Sequence, residues 1–337
     1  MIYTVKMLQE KGFSHAPLWV NDNILYSTIV GSVAYGVSND FSDVDLTSIV
    51  MPPKSILFPY EHGGHIYGFG KPPTPYSHHI EHGIQNKDDG SEYDLSIYSI
   101  VKTFDMLCSS NPNILEMLYT PNNCIIQQTQ TGKMIRDYRD NFISMDCYKT
   151  FMEYLASQIH KAKTKFRNAG HVRKLLEAHG EITLENIKSK KLPPKEEIMM
   201  TEYLHSKRMV KFIEQNQEYD CKFVANIVRL AYQCETILTE GTLNLTSFST
   251  HIRAIREGKE PFDKVMQWLD EKEIALIKIK ASSKIRANVD IPAAKEFLMN
   301  CIENHYGTID NFARTDTIPS KAIKEIVQII QKHNLYQ

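Results

Sequence analysis

Short stretches near the N-terminal end alternate apolar and polar residues, whereas from about Phe142 apolar residues recur every three or four positions. The first pattern is that of half-buried strands, the second that of amphipathic helices. Ile24-Leu25-Tyr26-Ser27-Thr28-Ile29-Val30 is β-rich and stops at Gly31-Ser32, which predicts a strand running into a turn. A second strand is predicted from Val44 to Met51, ended by Pro52-Pro53 because proline supplies no ladder donor. A third covers Glu92 to Tyr98, with Tyr93, Leu95 and Ile97 alternating with Asp94, Ser96 and Tyr98. Residues 52–90 between them are rich in Gly, Pro and His and read as a long loop insertion, a length that is often functional. Helical spacing then links Phe151, Tyr154, Leu155 and Ile159, and later Ile227, Leu230, Ala231, Cys234, Ile237 and Leu238. The chain therefore reads as α+β: strands, turns and short helices over 1–140, then a mostly α-helical domain over 141–337.

Composition narrows the class. The 337 residues are 42% hydrophobic and 23% charged, which suits a folded chain of about two domains. No apolar run approaches the ~18 residues of a spanning helix, so no membrane is expected. Met1 to Lys11 is amphipathic and lacks the apolar core of an export signal, and a cytoplasmic location is expected. Six scattered cysteines with no CxxC pair argue against a zinc ribbon or a disulfide scaffold. The net charge of −1 hides a split. Residues 1–145 carry 9 basic and 15 acidic side chains, the remainder 30 and 25. An acidic first part suits a divalent cation, and a basic second part suits a polyanion.

The most informative window is Gly31-Ser32-Val33-Ala34-Tyr35-Gly36 followed by Ser42-Asp43-Val44-Asp45-Leu46. Residues two apart on a strand share a face, so Asp43 and Asp45 project together while Val44 and Leu46 turn to a core. Two adjacent carboxylates repel unless a cation lies between them. Mg²⁺ accepts carboxylate and phosphate oxygens together, which makes the pair a seat for a metal–nucleotide complex. The Gly-Ser step offers backbone N–H groups and a hydroxyl to phosphate oxygens. Asp94, on the third strand, adds another acid.

These residues resemble the polymerase-β-like nucleotidyltransferase superfamily, and within it the branch associated with RNA repair operons (RlaP-like), whose relatives also occur in large phages. The resemblance rests on the window above and on Tyr93-Asp94-Leu95. It continues through Asn111-Pro112-Asn113-Ile114-Leu115-Glu116-Met117-Leu118-Tyr119-Thr120-Pro121 and, more weakly, Tyr154 to Ile159, Lys222 to Arg229, and Gly241. Asn226 stands where the resemblance leads one to expect histidine. The resemblance implies a small mixed-sheet palm with a following helical domain. It implies transfer of a nucleoside monophosphate from an NTP to a hydroxyl, with Asp43, Asp45 and Asp94 holding two Mg²⁺ ions (Mn²⁺ as the alternative) and pyrophosphate leaving. Gly31 and Ser32 would bind the phosphates, with Tyr35, Gly36 and Ser42 completing the nucleotide site.

Other segments carry weaker signals. Asn111 before Pro112 is a good helix start, with Ile114, Leu115 and Leu118 as its buried face, so that block reads first as structure. His62, His65, His78, His79 and His82 lie among glycines and prolines without the register of a metal site, and read as part of an insertion near the active site. His160 to Arg167 forms the strongest basic patch: Lys161 and Lys165 share a helical face, and Phe166 is a stacking residue if exposed. Lys161, Lys165 and Arg167, with Lys222 and Arg229, are the expected acceptor contacts, and the acceptor is expected to be an RNA or tRNA-like end. The alternatives are nucleotidylation of a protein hydroxyl, as in toxin–antitoxin systems, or a non-catalytic nucleotide- or RNA-binding protein. Intact Gly31-Ser32, Asp43, Asp45 and Asp94 speak against the last. A phage-encoded chain would act in the host cytoplasm.

Overall fold

The computed structural model describes residues 2–38, 42–57 and 76–307, with Glu325, Ile326 and Ile329 beyond them. In chain order its main elements are α1 (Val5–Glu10), β1 (Ile24–Val30), α2 (Gly31–Ala34), β2 (Val44–Val50), α3 (Lys54–Leu57), β3 (His78–Gln85), β4 (Glu92–Ser99), α4 (Ile100–Cys108), α5 (Pro112–Leu118), β5 (Ile125–Gln128) and α6 (Gln130–Asp137). Helices follow: α7 (Met145–His179), α8 (Pro194–His205), α9 (Lys207–Glu214), α10 (Cys221–Glu240), α11 (Ser249–Arg256), α12 (Phe262–Ser282) and α13 (Ile291–Tyr306). The fold is α+β, a five-stranded mixed sheet with helices.

The sheet runs β3-β4-β2-β1-β5, with β2 and β4 parallel and the other pairs antiparallel. Strand β1, flanked by β2 and β5, is buried at every position but its last, so its hydroxyls need internal partners. They have them: Ser48 Oγ donates to Ser27 Oγ at 2.9 Å, and the Thr28 and Thr120 hydroxyls lie 2.7 Å apart. On β4 the predicted alternation holds, with Tyr93, Leu95 and Ile97 buried and Asp94, Ser96 and Tyr98 half-buried. Asn111 caps α5, accepting from the amides of Asn113 and Ile114, with Pro112 at the first helical position.

Residues 52–90 differ from the expected long loop. His78 to Gln85 form edge strand β3, so His78, His79 and His82 belong to the sheet; His62 and His65 lie outside the described residues. The histidines and Glu81 conceal the strand because an edge strand leaves most positions exposed to water, where polar and charged side chains are tolerated.

One buried cluster runs from Val5 through the sheet into α7, α10, α12 and α13. Helix α10 lies at its centre, apolar on most of its circumference, with Asp220 capping its start and Gly241 in the left-handed conformation at its end. A second cluster, Val172, Leu175, Ile182, Ile187, Leu192, Met200 and Tyr203, joins the end of α7 to α8. Among the described residues no helix is long and apolar enough to cross a membrane.

Candidate active site

Parallel pairing of β2 with β4 sets Asp45 directly beside Asp94, and Asp43 precedes β2 by one residue. One carboxylate oxygen from each of Asp43, Asp45 and Asp94 lies within 4.8 Å of those of the other two. Three acids so close raise one another's cost of ionisation. Burial, reinforced by Asp43, pushes the Asp45 carboxyl up to about 6, with Asp94 and Glu116 adding to the shift. Asp43 moves the other way: burial opposes its ionisation, but the Lys222 ammonium holds it below the usual carboxylate range. Lys222 Nζ donates to both oxygens of Asp43, at 2.8 and 3.0 Å.

The turn after β1 approaches the acids closely. Gly31 has φ +66°, and a Cβ built on it would lie 2.0 Å from Asp45 Oδ2, so only glycine fits. Gly36 closes the turn, also at positive φ, and Arg253 of α11 donates to its carbonyl. The Ser32 hydroxyl is buried and has no hydrogen-bond partner among the described residues. A buried polar atom of that kind calls for a ligand or water.

The site residues expected from sequence separate into two groups. Gly31, Ser32, Gly36, Ser42, Asp43, Asp45 and Asp94 belong to this corner of the sheet, and Lys222 joins them through Asp43. Tyr35 and Arg229 lie elsewhere, in a closed cluster. Tyr35 is 2% exposed, and its hydroxyl accepts from Arg229 Nη1 at 2.6 Å and Gln233 Nε2 at 3.2 Å. Arg229 is ion-paired with buried Glu116 at 3.2 Å. Burial opposes the guanidinium charge, but Glu116 and Tyr35 more than offset it and raise its pKa. Tyr35 is buried and Arg229 half-buried, and both are engaged in this cluster. Lys222 and Arg229 lie two turns apart on α10, Lys222 exposed beside Asp43 and Arg229 half-buried against Tyr35 and Glu116.

On α7, Lys161 and Arg167 are exposed. Lys165 is half-buried, 3.4 Å from Asp220 and 4.0 Å above the Phe223 ring. Phe166 is not a free stacking residue: its ring stacks on Phe262 at 4.1 Å. The sequence gives no local signal for three further participants. Arg256 lowers the Asp43 pKa across space. Gly83 N–H donates to Asp94 Oδ1 at 2.8 Å, and His82 Nδ1 lies 3.3 Å from Asp94 Oδ2.

Comparison with known proteins bears on this geometry. The family described as RlaP, the RNA repair pathway DNA polymerase beta family, matches residues 7–317. The chain belongs to that family. A protein of Enterobacteria phage T4, the uncharacterized 38.9 kDa protein in the nrdC-mobD intergenic region, is 26% identical over 158 residues. That match spans 45% of this chain and 42% of the relative's length. A crystal structure of a nucleotidyltransferase-like protein from Exiguobacterium sibiricum 255-15 aligns with 98% of this chain and 90% of its own, at 10% identity and a TM-score of 0.25.

Proposed function

We propose that this protein transfers a nucleoside monophosphate from a divalent metal–NTP complex to a hydroxyl acceptor, an RNA or tRNA-like end. The observation that carries the proposal is the convergence of Asp43, Asp45 and Asp94 against the Gly31-Ser32 turn.

The donor set fits divalent metal. It consists of hard carboxylate oxygens with a surplus of negative charge, and one ammonium already lies against Asp43. Asp43, Asp45 and Asp94 would hold two Mg²⁺ ions, or Mn²⁺ in their place. When bound, such ions supply Lewis-acid stabilisation of the attacking and leaving oxygens in an in-line displacement. The chain's own residues do the rest. The Ser32 hydroxyl and the backbone beside Gly31 receive phosphate oxygens, and Gly31 keeps the space between turn and acids open. Lys222 and Arg256 add positive charge beside Asp43, where a triphosphate would lie. The buried Arg229–Glu116–Tyr35–Gln233 cluster braces the turn from beneath. Lys161, Lys165 and Arg167 on α7 are the proposed contacts for the more distant acceptor backbone. The host cytoplasm is the proposed setting.

Purified protein incubated with Mg²⁺ and each labelled NTP, with and without RNA, tests this. RNA-dependent label transfer with pyrophosphate release is expected. Label on the protein alone would favour nucleotidylation of a protein hydroxyl, and no transfer with any NTP would overturn the proposal.

A further inference from the structure

Val30, Asp45 and Asp94 are direct partners across β1, β2 and β4. The Gly31 turn, Asp45 and Asp94 therefore follow one another across the sheet, and β3 is the next strand in the row. There the ladder breaks. Glu81 pairs with Leu95 and Ile84 with Tyr93, which leaves His82 and Gly83 as a bulge opposite Asp94. Gly83 takes φ +66°, which only glycine adopts readily, and both bulge residues turn toward the Asp94 carboxylate. The His82 side chain is 72% exposed. From this bulge a groove of about 420 Å³ opens along the outer edge of β3, walled on its other side by Gly12, Phe13 and His15.

We propose that this groove binds the terminal nucleotide of a single-stranded nucleic-acid acceptor; the assignment rests on the nucleotidyl-transfer reading above. In-line displacement requires the attacking hydroxyl and the leaving pyrophosphate on opposite sides of the reacting phosphorus. With the phosphate turn at one end of the row, the acceptor enters from the other, where the groove's His82 and Gly83 contact Asp94. Its chemistry fits a nucleotide. Phe13 and the imidazoles of His15 and His82 offer faces to a base, and the Lys87 ammonium offers charge to a phosphate. The acid in the groove, Glu81, is already occupied: it accepts from the Ser14 hydroxyl at 2.6 Å and the His15 amide at 2.7 Å, with His79 Nε2 3.3 Å away. It therefore repels a polyanion less than an unpaired carboxylate would.

The test titrates wild type, Phe13→Ala and Lys87→Glu with a short, end-labelled oligoribonucleotide by fluorescence anisotropy, and separately with each Mg–NTP. Phe13→Ala is expected to weaken oligoribonucleotide binding about tenfold, the size of one lost base stack. Lys87→Glu should weaken it and flatten the log–log salt slope by about 0.7, the value for one single-strand phosphate contact. Mg–NTP affinity should stay within about twofold, because neither residue touches the phosphate turn. Phe13 packs partly on the core, so exposed Lys87 provides a test independent of folding. Oligoribonucleotide affinity unchanged in both variants, or no binding by wild type at low salt, would overturn the proposal. Groove-dependent oligoribonucleotide binding in a protein that binds no Mg–NTP would support the groove and count against the transfer reading, so the two failures are distinguishable.

Discussion

Two charged clusters sit one above the other in this protein, and they are built on opposite principles. At the rim, Asp43, Asp45 and Asp94 face one lysine, and the Ser32 hydroxyl beside them is buried without a partner among the described residues. Beneath, Arg229, Glu116, Tyr35 and Gln233 balance one positive against one negative charge and bond to one another. An unbalanced, partly open cluster lowers its energy by taking a cation; the charge-balanced one has no surplus charge to offset, although Arg229 Nε and Gln233 Oε1 in it lack hydrogen-bond partners among the described residues. Charge balance, more than the mere presence of charge, separates site from scaffold here.

The largest effect is expected at the rim and in activity. Asp43→Ala or Asp45→Ala removes charge stabilisation worth several kcal/mol in the transition state, a loss of about a thousandfold or more in transfer. For Asp45→Ala the melting temperature of metal-free protein should stay level or rise, because its neighbours disfavour that charge; Asp43→Ala loses the Lys222 pair and should fall slightly. Initial rates at saturating Mg²⁺ and calorimetric melting decide it: full activity in either variant, or a large fall in melting temperature, would contradict the assignment.

The buried cluster should respond in stability. Arg229→Met strips buried Glu116 of its ion-pair partner, and breaking a buried pair costs about 3–5 kcal/mol. Urea denaturation reads this directly. Pairing Arg229→Met with Glu116→Gln should recover part of the loss, since the unpaired acid is then gone. A loss below about 1 kcal/mol in the single variant would mean that the cluster does not brace the palm.

The same contrast explains what was legible in the chain. Strands β1, β2 and β4 could be read because their apolar runs and alternation follow directly from burial. The acid pair could be read because Asp43 and Asp45 are two residues apart, and strand geometry alone puts them together. The scaffold could not. Arg229 meets Tyr35 and Glu116 across 194 and 113 positions, and Lys222 meets Asp43 across 179, so no local pattern announces these contacts. Lys222 and Arg229 stand seven residues apart on one helix, but that spacing does not say which of the two turns inward. Strand β3 was hidden for a different reason: its bulge and its polar side chains suppress the period-two signal.

A smaller effect tests how frustrated the rim is. The Asp45 carboxyl is pushed up to about 6 in the folded protein, from an ordinary value near 3.8. The folded state therefore holds this proton more tightly than the unfolded chain does. That contribution favours folding at the acid side of the window and is lost as pH rises through about 6, by roughly 1–3 kcal/mol. In metal-free protein, Asp45→Asn should thus be more stable than wild type at pH 7.5, with the advantage shrinking toward pH 4.5. Equal stability differences at both pH values would show that Asp45 ionises as an ordinary carboxylate. Added Mg²⁺ should narrow the gap at pH 7.5, because wild type alone keeps the full ligand set.

The smallest effect concerns α7, where charge is neither frustrated nor enclosed. Lys161 and Arg167 are exposed, whereas Lys165 is partly committed to Asp220 and to the Phe223 ring. If this face contacts the acceptor backbone, replacing all three by Gln should flatten the salt dependence of RNA binding by about 1.4, the share of two single-strand phosphate contacts. Affinity at low salt should fall several-fold, and Mg–NTP binding should change little, because the acids and the Gly31-Ser32 turn are untouched. A double Lys161/Arg167→Gln variant separates the contributions: it should account for nearly all of the change in slope. Lys165→Gln alone should act mainly on stability, by up to about 1 kcal/mol, since it removes a half-exposed partner of the Asp220 cap. A triple variant with unchanged RNA affinity and salt slope would make α7 an ordinary solvated face. A loss confined to Mg–NTP would instead place these charges with the triphosphate, on the same side as Lys222.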